Sequence, residues 1–139
     1  MTTSNIFSNW DDTHSVLWGN APIRLAHNMH KSPLFSMDQL AQLIEQYPRE
    51  HYSLMQTGVK DGQRIWRQGD IGTFSGRQVI DAISKGGLWL NLRMVSDIDT
   101  RYHDMLGQMF AEIGEKVPEF ALPHQYNACL LYTSDAADD

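Results

Sequence analysis

The stretch that most restricts the fold of this 139-residue chain is SGRQVIDAISKGGLWLNLR, residues 75–93, where the hydrophobic period switches from helical to extended within two residues. Val79, Ile80 and Ile83 form the buried stripe of a helix over Gly76–Lys85. Ser75 is its N-cap, and Gln78 stands three residues on, the spacing of a capping box. Gly86 and Gly87 end the helix, because glycine takes the left-handed conformation at little cost. Leu88–Arg93 then alternates. Leu88, Leu90 and Leu92 point one way and Trp89, Asn91 and Arg93 the other, the pattern of a half-buried strand. Helix and strand alternating in this way give an α+β fold, with helices packed on a small mixed β-sheet.

The rest of the chain extends that pattern. A helix is predicted over Met37–Tyr47, capped by Ser36 with Gln39 three residues later and stopped by Pro48. Its apolar face is Leu40, Leu43, Ile44 and Tyr47. Residues 51–67 read as a hairpin around the turn Lys60-Asp61-Gly62-Gln63. A third helix spans about Arg101–Val117. Its stripe is Tyr102, Met105, Leu106, Met109, Phe110, Ile113 and Val117, its cap Asp97 or Asp99, and Pro118 ends it. Ser15–Trp18 and Pro22–Leu25 lean toward short strands around Gly19-Asn20, and a further strand is expected within Gln125–Leu131.

Composition removes whole classes of function. Eleven Lys and Arg stand against 17 Asp and Glu, for a net charge of −6. Phosphate backbones select for basic excess, so no nucleic-acid partner is expected. The single cysteine excludes an internal disulfide framework and any cysteine-rich zinc module. No apolar run reaches the ~18 residues of a membrane span, and no membrane partner is expected. The start MTTSNIFSNWDD has neither a basic opening nor an apolar core, so no signal peptide is expected and the reading is cytoplasmic.

Few side chains stand at spacings that carry chemistry. His27 and His30 are three apart, with His14 nearby, but no Cys, Asp or Glu joins them locally, so packing or surface roles are expected. His103 and Asp104 are adjacent on a helix and diverge by about 100°. No His is followed two residues later by Asp or Glu, the spacing that sets imidazole and carboxylate on one face of a non-haem iron. Gly69–Gly76, GDIGTFSG, lacks the Gly-Lys-Ser/Thr ending of a phosphate loop. Ser75 lacks a nucleophile elbow and reads as a cap. No catalytic or metal-binding residue is therefore assigned. The substrate-binding candidates are Trp89, Asn91 and Arg93, an aromatic plane, an amide and a guanidinium on one strand face that would line a polar pocket. The competing reading is a solvated sheet face.

Residues 129–139, CLLYTSDAADD, are unlike anything upstream and read as translated sequencing-adapter read-through, a non-native tail to be set aside; the alternative is a natural acidic, frayed C-terminus. Three of the 17 acidic residues, Asp135, Asp138 and Asp139, lie in it.

The stretches SVLWGNAPIRLAHNMHKSPLFSMDQLAQLIEQYP, WRQGDIGTFSGRQVIDAISKGGLWLNLR and DTRYHDMLGQMFAEI together resemble the N-terminal half of bacterial cupin-like proteins related to the JmjC oxygenases. The resemblance covers roughly Trp10 to Asn127. It implies that residues 1–128 are the front part of one cupin-like domain, a double-stranded β-helix whose barrel core is largely missing. It implies a parent that uses Fe(II) and 2-oxoglutarate to hydroxylate a small molecule or a protein side chain. The His-x-Asp motif of that family is absent, so no metal or cosubstrate residue carries over, and no cofactor is expected in this chain itself. The missing barrel would cover the apolar face of the third helix. The alternative is a small non-catalytic α+β interaction or regulatory domain.

Overall fold

The computed structural model describes residues 5–134. Its elements in chain order are α1 (Asp12–Leu17), α2 (Met37–Gln46), β1 (Tyr52–Lys60), β2 (Gln63–Gly69), α3 (Gly76–Ser84), β3 (Leu88–Leu92), α4 (Val95–Ile98), α5 (Thr100–Lys116) and β4 (Leu130–Tyr132). The acidic end of the tail, residues 135–139, lies outside the described residues.

The fold is α+β, and its four strands form one sheet in the order β2-β1-β3-β4. Every neighbouring pair is antiparallel, so the expected mixed sheet is corrected to a wholly antiparallel one. The reason is the placing of β1. Asp61 and Gly62, both with positive φ (54° and 77°), make the tight turn that returns β2 along one side of β1. The chain then crosses through α3 and lays β3 along the other side. β2 and β3 therefore run parallel to each other but never pair, because β1 separates them.

One face of the sheet holds the core. Leu54, Leu90 and Leu92 meet Leu43 and Ile44 of α2 and Val79 and Ile83 of α3, joined by Val95 and Tyr102. Leu90 and Leu92 are fully buried, as the alternation predicts. The Ser75–Gln78 capping box forms in both directions. Ser36 accepts the Gln39 amide, but the Gln39 side chain turns away and accepts from Arg101 at 3.1 Å. Gly76 opens α3 directly against the α2 backbone. A Cβ at this position would stand 2.0 Å from the Ala41 carbonyl oxygen, so only glycine permits this helix contact.

The sequence expectation fails at both ends. Ser15–Leu17 belongs to helix α1 and Trp18 is its C-cap, so no strand forms there: Asp11 and His14 exchange capping bonds at its start, and ring contacts through Trp10 and Trp18 to Phe120 hold the short helix in place. Pro22–Leu25 takes no strand. The C-terminal strand is displaced to Leu130–Tyr132. It is led there by Ala128, whose carbonyl accepts the Val95 amide at 3.0 Å, and by Asn127, whose Oδ1 accepts the Ser96 amide at 3.1 Å.

Helix α5 stands at the edge of this core. Tyr102, Ile113 and Val117 are buried, and the middle of its stripe, Met105 to Phe110, is half-buried. Residues 6 and 7 lie against it. Glu112 accepts the Ile6 amide at 2.9 Å and the Phe7 amide at 3.0 Å. Rings continue the connection. Phe7 meets Trp10 (5.7 Å), Trp10 meets Trp18 (5.9 Å) and Trp18 meets Phe120 (5.8 Å), which lies over Phe110 of α5.

Candidate functional site

The strand register decides where the three candidate residues stand. Trp89 lies opposite Met55, and Asn91 opposite both Ser53 and Leu131. All belong to the sheet face turned away from the core. That face contributes nothing to the buried cluster and exposes large apolar groups: Trp66 is 52% and Leu131 60% accessible.

Trp89 packs edge-on against Trp66, with centroids 5.9 Å apart and planes at 74°. The two indoles wall a cleft of about 370 Å³ completed by Thr57, Val59, Arg64 and Leu88, among others. Asn91 sits beside them with Oδ1 buried and no hydrogen-bond partner. Such an oxygen costs free energy until a donor reaches it.

Arg93 goes elsewhere. Its amide donates to the His51 carbonyl at 2.8 Å, and Nη2 donates to the Glu50 carbonyl at 3.0 Å. Its own carbonyl accepts the Tyr47 hydroxyl. Burial, with the Cys129 thiol next, pushes Tyr47 up to about 12, against the partial pull of Arg93. Arg93 lines a second depression of about 520 Å³ with His51, Met94, Asn127 and Cys129. Four residues of strand separate Trp89 from Arg93, about 13 Å. The structure thus brings Trp89 and Asn91 together on the open face and places Arg93 at the far end of the strand, in a different cavity.

Two residues of these cavities escape sequence reasoning. Trp66 stands in no motif of the sequence, yet it alternates in phase with Arg64 and Gln68 on β2, the signal that puts it on the open face. Met94 adopts a left-handed backbone, φ 61°, rare for a residue with a side chain. It takes this turn between β3 and α4, and no feature of its side chain announces that.

His27, His30 and His103 make ring contacts. His27 and His30 meet edge to face at 5.7 Å, and His27 Nδ1 accepts the Met29 amide at 3.1 Å. His103 stacks on Tyr126 at 4.7 Å. Among the described residues no three His, Cys, Asp or Glu side chains gather as a metal-binding group. No described helix is long and apolar enough to cross a membrane.

No family model matches the chain, and no curated protein or solved structure is significantly similar to it.

Proposed function

We propose that this chain is the front part of a cupin-like, JmjC-related protein whose parent is a 2-oxoglutarate- and Fe(II)-dependent hydroxylase. In this reading the chain is a scaffold: a helix layer and one sheet, over whose free face a second sheet closes the barrel. The observation that carries the reading is the one-sided sheet. Its inner face is finished, with Leu90 and Leu92 fully buried. Its outer face leaves Trp66 exposed beside the half-buried Trp89 and the Asn91 oxygen without a donor. A surface of this kind marks a site that something else covers.

The described residues do not fit the iron of such an enzyme. His27, His30 and His103 are taken up by ring contacts or a backbone amide, and no group of three His, Cys, Asp or Glu gathers among the described residues. No step of the hydroxylation is therefore assigned to this chain. Recovering the uninterrupted coding sequence of the native locus tests the reading. A His-x-Asp or His-x-Glu motif soon after Asn127 is the expected result. A native stop codon after Asp139 would refute it.

The finished core favours one competing reading, a self-sufficient non-catalytic interaction domain. It requires a single cooperative urea transition without binding of a hydrophobic dye, whereas the scaffold reading requires dye binding by the folded chain.

A further inference from the structure

We infer that the free edge of β2 is a docking strand for an extended acidic peptide, which adds to the sheet as a fifth strand. β2 is an outer strand of the sheet. The two-residue turn at Asp61-Gly62 makes Lys60 and Gln63 a hydrogen-bonded pair, and the ladder alternates from there. The backbone groups of Gln63, Ile65 and Arg67 therefore point at β1. Those of Arg64, Trp66 and Gln68 point outward. Thr57 confirms the phase: opposite Trp66, it sends its own amide away from β2 to the Gly87 carbonyl at 2.7 Å. β1 pairs with β3 only as far as Gln56, so residues 57–66 project beyond the sheet as a two-stranded ribbon.

Charge selects the occupant. Within a chain of net charge −6, the turn and β2, residues 60–69, carry Lys60, Arg64 and Arg67 against Asp61 alone. None of the three cations joins an ion pair among the described residues. Arg64 and Arg67 lie on opposite faces of β2, so an added strand meets a guanidinium on either side. Charged edges guard sheets against pairing with themselves. A second copy docked at β2 would set two arginine-bearing edges about 4.8 Å apart, where like charges repel. The same charges attract a strand rich in carboxylates, with main-chain hydrogen bonds supplying the affinity. Its apolar residues would rest on Trp66. The inference concerns the strand edge and stands whether or not a second sheet covers the open face.

Fluorescence anisotropy of the full chain with a fluorescein-labelled octapeptide alternating valine and glutamate tests this. The expected result is saturable 1:1 binding, with no binding of the valine–lysine counterpart. The Arg64→Glu/Arg67→Glu double variant should bind at least about tenfold more weakly. So should Gln68→Pro, which removes one outward amide and leaves the β1 ladder intact. Hydrogen exchange on the unaltered chain supplies an independent readout: the peptide should slow the amides of Arg64, Trp66 and Gln68. Unchanged binding by Gln68→Pro, unprotected amides, no saturable binding, or a dimer formed through β2 would each overturn the inference.

Discussion

At the scale of single residues, two positions hold the fold in ways that side-chain volume alone does not reveal. Gly76 is a contact rather than a gap. With 2.0 Å between a notional Cβ and the Ala41 oxygen, Gly76→Ala must push α3 off α2. The expected cost is about 1–3 kcal/mol, read as a lowered urea midpoint with an unchanged m-value. Tyr47 is the second. Its hydroxyl donates to the Arg93 carbonyl, and burial holds its ionisation up at about 12 against an ordinary 10.0. The folded state keeps this proton where the unfolded state has lost it. The stability Tyr47 contributes is thus whole below pH 10 and declines as pH rises through about 12. Alkaline unfolding followed by circular dichroism should begin in this interval, and Tyr47→Phe should flatten the decline. Asp70 titrates at the other end. The Gly72 amide, the Tyr52 hydroxyl and Arg49 hold its carboxylate below the usual 3.8, so its contribution is present at neutral pH and fades as the solution is acidified below that value.

At the scale of elements, the parts that were legible in the sequence are those whose ends are written in local chemistry. The Ser75–Gln78 box, the Asp61-Gly62 turn and the Leu88–Leu92 alternation each specify one conformation without help from distant residues. The same holds for Asp99, which caps α5 by accepting the Arg101 amide at 3.0 Å and also grips the Arg101 guanidinium at 2.8 Å. Asp99→Ala should cost about 1–2 kcal/mol and speed hydrogen exchange in the first turn of α5. The illegible parts depend on tertiary company. α1 is a six-residue helix, too short to be stable by itself, and Trp10 and Trp18 tie it to Phe120 more than a hundred residues along the chain. α4 exists because Ala128 and Asn127 satisfy its opening amides. Periodicity cannot report a partner that arrives later in the chain.

At the scale of the whole molecule, the sheet separates what is settled from what is open. The candidate residues were legible as members of one strand face, and Trp89 and Asn91 do share it. Their division from Arg93 was not legible, because it depends on the Glu50 and His51 carbonyls beside the strand end, which engage the Arg93 guanidinium and amide. The open face makes its own prediction. Trp66 is half exposed and touches Trp89 outside the core. Trp66→Ser should therefore change stability by less than about 1 kcal/mol while reducing hydrophobic-dye binding and altering Trp89 fluorescence. Loss of several kcal/mol would mean that this face is part of the structural core.

The latch between Glu112 and the amides of Ile6 and Phe7 spans more than a hundred residues. During synthesis Ile6 and Phe7 can join residues 26–28 early, through the Asn28 amide on the Ile6 carbonyl at 2.8 Å and the Phe7–His27 bridge, but their second anchor waits until α5 has cleared the exit tunnel. A chain ending before residue 112 should be cut around residues 6 and 7 more readily by protease than the full chain.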